Sequence, residues 1–230
     1  MDSHAPLSLP EQLMLLMLRD DTGTMESHTS LHQLALGGAI LAELMLAESI
    51  RIDEDKKQLV HLDRSKALSD PILEECRRLI VDAKRPRNAT NWITTFAMQR
   101  RLRHRVAEAL CRRGILEESE DKVLFFFTRA VYPTINPKPE SALVKQLRDA
   151  VMGSSPTVDA RMALLVSLGH ATGLLRIHFS RAELKDRKTR IEQMATGAVS
   201  DAVQAAQQAT QAAIMSAVIT SSVVAGMSHS

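Results

Sequence analysis

Between Trp92 and Pro133 a dense cationic helix runs straight into an apolar segment, and this order limits the possible folds more than any other stretch. Arg100, Arg101, Arg103, Arg105, Arg112 and Arg113 crowd a helical pattern whose only acid is Glu108 and which stops at Gly114. At a step of about 100° per residue, Leu102, Val106, Ala109 and Leu110 fall on one stripe, the expected core face. Arg100 and Arg103 then share one flank, and Arg101, Arg105 and Arg112 the other. Three-residue spacing makes Arg100 and Arg103 neighbours. Two guanidinium forks on one side hold a phosphate bidentately, which a lysine does not do with the same geometry. The same arginines also suit a plain solvated face. Past Gly114 come a strand-like Ile115-Leu116, a polar tip from Glu117 to Lys122, and an apolar run from Val123 through Leu124, Phe125, Phe126 and Phe127. The expectation is an apolar hairpin, suited either to the core or to insertion in a membrane.

The totals narrow the class. A chain of 230 residues allows one domain with a sizeable core. Aromatic residues make up only 3% while Leu, Ala and Met abound, which favours helices over sheets. The net charge of +2 argues against a general polyanion binder, so any basic site is local. Cys76 and Cys111 lie inside helical patterns without CxxC spacing, which argues against a disulfide framework or zinc site and fits a reduced compartment. No signal segment is visible before Pro10, and no apolar run approaches the roughly 20 residues of a membrane span. A cytoplasmic protein is expected, with any membrane contact peripheral.

In chain order, Ser8, Pro10 and Glu11 form a capping box for a first helix that carries Leu13, Leu16 and Met17 and stops before Gly23. A second helix takes Leu31, Leu34, Ala35, Gly38, Leu41, Ala42 and Met45. Gly37 and Gly38 in its middle each cost about 1 kcal/mol relative to alanine, so a close approach, most simply by a packed helix, is expected there. Alternating residues from Ser49 to Asp53 and from Gln58 to Asp63 read as a small hairpin. Pro71 opens a helix through Ile80, followed by the basic loop Lys84-Arg85-Pro86-Arg87. Further helices are expected from Ser141 to Met152, Thr157 to Leu175 and Ser180 to Met194. The tail from Ala198 to Ala225 is Ala-rich, lacks charge after Asp201, and reads as a helix that docks on the body or on a second copy. The expected organisation is a single domain over 1–230, mainly helical with short β-hairpins, one of them apolar and protruding, with its core at about 7–194.

Several stretches together resemble the Golgi phosphoprotein 3 family. They are Leu9-Pro10-Glu11-Gln12-Leu13 with Leu16 and Asp20, Leu36 to Leu44 with Arg51-Ile52, Asn91-Trp92-Ile93, and Arg100 to Val106 leading through Arg113-Gly114-Ile115-Leu116 and Leu124-Phe125-Phe126 to Pro133. The resemblance implies a mostly helical domain that binds phosphatidylinositol 4-phosphate on the cytosolic face of Golgi membranes, beside a hydrophobic hairpin that inserts in the bilayer or mediates oligomers. In eukaryotic members the headgroup pocket has a tryptophan, an arginine in the second helix and two arginines at three-residue spacing in the central helix. Arg100 and Arg103 match the last pair. His28 stands at the tryptophan position and Gly37 at that of the first arginine. The family also occurs in bacteria, and the altered pocket and Ala-rich tail point to a bacterial member. Losing one charge-assisted contact at Gly37 lowers headgroup affinity by about 1.5 to 3 kcal/mol.

The rival readings are weaker. No HExxH, GxSxG, P-loop or dinucleotide fingerprint occurs, so no enzyme and no cofactor are expected. His28 and His32 with Glu26 resemble metal ligands but lack a third partner of the right kind. Nucleic acid is not an expected partner, given the near-neutral total and the acids Glu117, Glu118, Glu120 and Asp121 beside the arginines. The expected partner is an anionic membrane lipid. The alternative is an oligomer whose Phe125 to Phe127 hairpin and Ala-rich tail meet other subunits. No residue identifies a protein cargo.

Overall fold

The computed structural model describes residues 6–25, 31–53, 57–63, 67–123 and 127–195. Several of its helices start where a side chain can satisfy the first backbone N–H groups. Helix α1 (Leu9–Met17) carries the capping box, the Ser8 amide donating to the Glu11 carboxylate at 2.9 Å. After α2 (His32–Leu46), the strands β1 (Ile50–Ile52) and β2 (Val60–Leu62) pair antiparallel, as the alternation predicts. Asp70 caps α3 (Pro71–Val81), accepting from the Ile72 and Leu73 amides, and Asn88 caps α4 (Ala89–Ala97). Then come α5 (Leu102–Arg112), the hairpin β3 (Ser119–Val123) and β4 (Phe127–Val131), and α6 (Lys138–Met152). Asp159 caps α7 (Ala160–Thr172). The pattern from Thr157 to Leu175 breaks at Gly173, whose φ of 77° ends α7 and lets α8 (Leu175–His178) turn away. The stretch expected to run from Ser180 to Met194 is likewise two helices, α9 (Arg181–Asp186) and α10 (Lys188–Ala195). The Ala-rich tail lies outside the described residues.

The architecture is mainly helical, with two small antiparallel hairpins. Its centre is α1 and α2 with α7 beside them. Leu9, Leu13, Met14, Leu15 and Met17 of α1 are wholly enclosed, as are Leu36, Ala39, Ile40 and Leu41 of α2. Helices apolar on all sides belong inside a domain, and these two are. The arginine-rich α5 packs on α1 and α2 from outside. Its core face is Leu102, Val106, Ala107 and Leu110, so Ala107 replaces the expected Ala109.

Helix α4 fills the close approach expected at Gly37. A Cβ on Gly37 would lie 2.4 Å from the Ile93 carbonyl oxygen and 3.0 Å from the Ala97 nitrogen. Charges enclosed with the core are matched. Glu43 of α2 accepts from the Leu9 amide at 2.6 Å and from Arg161 of α7 at 2.8 Å. Glu11 accepts from Arg113 at 3.1 Å.

Glu140, in the first turn of α6, is handled differently. Burial, reinforced by a hydrogen bond and charge repulsion from Asp20, pushes its carboxyl up to about 8 from the usual 4.5. The folded chain therefore keeps a proton that the unfolded chain releases. Stability from this group is complete below pH 4.5 and is lost as pH rises towards 8, by at most about 1.4 kcal/mol per pH unit. Urea titrations between pH 5 and 8 should show that slope in the wild type and a flatter one in Glu140→Gln. Equal slopes would exclude it.

Candidate functional site

The turn joining α4 to α5 arranges the arginines differently from a continuous helix. Arg101 sits in the left-handed region at φ 54°, and α5 begins only at Leu102. Arg100 therefore lies in the turn while Arg103 lies in the first helical turn, and the same-face spacing expected of them does not hold. A left-handed residue reverses the chain direction, which allows two short helices to pack instead of one long one.

Carboxylates then sort the arginines. Arg101 pairs with Glu108 at 3.3 Å, Arg113 with Glu11, and Arg105 with Glu75 of α3, whose hydrogen bond is 3.1 Å. Arg100 is exposed and makes no ion pair among the described residues. Arg103 is half-buried and donates not to an acid but to Nε2 of His104 at 3.2 Å. A guanidinium only donates, so Nε2 accepts and the ring proton sits on Nδ1, which is 2.9 Å from the Tyr132 hydroxyl. Burial, then the charges of Arg103 and Arg101, lower the His104 pKa and keep the ring neutral. The neutral ring braces Arg103 without cancelling its charge.

The β3–β4 hairpin supplies the opposite wall. Its register pairs Ser119 with Val131, Asp121 with Arg129 and Val123 with Phe127. Of the acidic residues expected at the tip, Glu120 and Asp121 thus lie in strand β3 and Glu117 and Glu118 just before it, and the connection falls within the apolar run. Cross-strand attraction explains the register, since Arg129 donates to Asp121 at 2.7 and 3.0 Å. Ile115-Leu116 lies below the hairpin, where Leu116 bridges to Thr134. Leu124, Phe125 and Phe126 lie outside the described residues, and only the backbone of Phe127 is described, as part of β4.

Arg103 and Arg129 meet at a narrow cleft of about 50 Å³, lined also by Met14, Thr24, Met25 and Tyr132. The floor is built by a tight turn after α1, in which Gly23 has φ 60° and accepts from the Tyr132 amide at 3.0 Å. A Cβ on Gly23 would overlap the Pro133 nitrogen at 2.1 Å, so only glycine fits there. The cleft is too narrow to enclose a sugar phosphate, and an anion would rest on its rim. Met25, on the cleft wall, stands three positions before His28 in the chain. His28 itself lies outside the described residues. Gly37 is buried at the α2–α4 crossing, where it serves packing.

Arg129 and Tyr132 were missed in the sequence because nothing local marks them. The signal available was the complementary charge of Asp121 and Arg129 across the apolar run, which becomes informative only with the hairpin register. A wider groove of about 990 Å³ contains Glu140, Lys145 and Arg148, but its bases are engaged: Lys145 with Asp149 at 2.7 Å, and Arg148 with the His178 carbonyl at 2.8 Å. Both cysteines are free. No helix among the described residues is long and apolar enough to cross a membrane. The family model described as Golgi phosphoprotein 3 matches residues 9–215, a span that takes in α1 through α10 and runs on into the Ala-rich tail.

Proposed function

The chain belongs to the Golgi phosphoprotein 3 family, and from that premise we propose that it is a peripheral membrane protein that holds an anionic, phosphoinositide-type headgroup at the rim of the Arg103–Arg129 cleft. The observation that supports this reading most is the sorting of the arginines. Arg101, Arg105 and Arg113 each hold a carboxylate, while Arg100, Arg103 and Arg112 make no ion pair among the described residues, and of these three Arg103 lines the cleft. Phosphatidylinositol 4-phosphate, the family's lipid, is the proposed ligand class.

With Gly37 committed to packing, the cation missing at that position is supplied in this reading by Arg129. Its pair with Asp121 is half-exposed, and exposed pairs are worth about 0 to 1 kcal/mol, so a phosphate competes for it readily. His28 is the remaining residue proposed for the headgroup, on the family resemblance alone. The apolar run Leu124 to Phe127 provides the second half of the anchor. An arginine near an anionic leaflet contributes about 1 kcal/mol, and burying one Phe side chain roughly 1.5 to 3 kcal/mol. Together these give reversible attachment to the cytosolic face without a membrane span.

Liposome co-sedimentation tests this. Vesicles would carry no anionic lipid, a generic anionic lipid, or phosphatidylinositol 4-phosphate at matched charge. The wild type should prefer the phosphoinositide, and Arg100→Ala/Arg103→Ala should bind it about tenfold or more weakly. Equal binding to both anionic vesicles would leave a generic anchor. Binding to none, with a mass that rises with concentration, would replace this reading with the oligomer in which the hairpin meets other subunits.

A further inference from the structure

A second basic feature lies away from that cleft, in the loop between α3 and α4. Lys84, Arg85 and Arg87 rim a hollow of about 380 Å³ whose floor is Leu79, Ala83 and Trp92. Its size is that of a small-molecule site. No carboxylate lines it, and Lys84 and Arg85 are exposed without an ion pair among the described residues. Arg87 is fixed in place. The Arg87 carbonyl accepts from the Val60 amide at 2.9 Å, and its guanidinium lies 4.7 Å from the centre of the Trp92 ring and donates to Thr95 Oγ1 at 3.1 Å. Trp92 is 2% exposed, and its Nε1–H has no hydrogen-bond partner among the described residues.

We infer that this hollow binds a single-chain anionic amphiphile, with a phosphate or carboxylate head among Lys84, Arg85 and Arg87 and an apolar chain laid against the half-buried Leu79 and Ala83, beside the edge of Trp92. Three cations without an acid concentrate positive potential at one spot, and an anion is what that spot attracts. An inorganic anion would leave the apolar floor unused, and a neutral hydrocarbon would leave the rim unused. A ligand carrying both parts uses both. This site is independent of the headgroup cleft, since it shares no residue with it.

The test uses the full chain. Trp92 is the sole tryptophan, so the emission comes from one indole, which lines this hollow. Octyl phosphate, kept below its micelle concentration, should change that emission saturably, with calorimetry on the same samples reading any binding that leaves the indole unchanged. Inorganic phosphate and octanol should each bind about tenfold or more weakly, and Lys84→Ala/Arg85→Ala, which removes only exposed side chains, should weaken octyl phosphate by a similar factor. Arg100→Ala/Arg103→Ala should bind octyl phosphate as the wild type does. Vesicles of phosphatidylcholine with a single-chain lipid phosphate separate a bilayer source of the ligand, which reproduces the emission change, from a soluble one, which does not. The inference is overturned by octanol or phosphate binding as well as octyl phosphate, by an undiminished Lys84→Ala/Arg85→Ala variant, by loss in Arg100→Ala/Arg103→Ala instead, or by no signal in either measurement.

Discussion

Gly37→Ala is expected to destabilise the protein by about 2 kcal/mol or more, although alanine is the better helix former by about 1 kcal/mol. The added Cβ would stand 2.4 Å from the Ile93 carbonyl oxygen, 3.0 Å from the Ala97 nitrogen and 3.2 Å from the Ala97 Cβ. Two of those three atoms are backbone, so no side chain can rotate out of the way. Helix α4 must shift as a unit, carrying the buried Trp92, Ile93 and Phe96 with it. The same geometry makes a prediction about binding. Gly37→Arg restores the residue type found in eukaryotic members, yet it should unfold the α2–α4 contact rather than strengthen headgroup binding. Urea denaturation of Gly37→Ala and vesicle binding of Gly37→Arg check both statements. An arginine variant that is folded and binds more tightly would show that α4 does not occupy this position.

Glu43→Ala is expected to cost about 3 to 5 kcal/mol, the range found when one partner of an enclosed ion pair is removed. Glu43 has a side chain only 11% exposed and ties three helices together: its own α2, the first amide of α1 at Leu9, and Arg161 of α7 through both terminal guanidinium nitrogens. Without it, Arg161 stays half-buried without that counter-charge, and the Leu9 amide loses its acceptor at the start of the most enclosed helix. Glu43→Gln keeps one acceptor and should fall between Glu43→Ala and the wild type. The cycle Glu43→Leu, Arg161→Met and the double variant separates the pair from the packing, because the double variant strands no charge and should be more stable than the sum of the singles by a few kcal/mol. Simple additivity would mean that the pair contributes little and that packing alone joins α1, α2 and α7.

These two positions differ in how openly the sequence announces them. A glycine pair inside an apolar helix signals a close approach, because glycine has no other reason to be there, but it does not name the neighbour. Glu43 gives no sign at all. Its partner lies 118 residues away, and an acid in the pattern Leu-Ala-Glu-Leu looks like any surface residue. The arginines of α5 show the same limit. Their density was plain, but a left-handed Arg101 moved Arg100 off the helix, and Glu11 and Glu75 claimed Arg113 and Arg105. The hairpin register followed from a cross-strand pair between Asp121 and Arg129, and strand periodicity does not specify which residues face each other.

What the sequence by itself determined is therefore a mainly helical chain, starts of helices at Ser8 and Pro71, the stop at Gly114, the β1–β2 hairpin, and a resemblance to a family through motifs spread along its length. The helix starts and stops and the small hairpin depend on residues close together in the chain, where capping, backbone freedom and periodicity act, and the family resemblance on the order of several such local stretches. Only the tertiary structure decided that α1 and α2 are innermost, that α4 fills the space at Gly37, that Arg129 and Tyr132 stand with Arg103, and which arginines are already neutralised by acids. Those outcomes depend on groups tens of residues apart in the chain, and their energies arise only when burial brings them within a few ångströms.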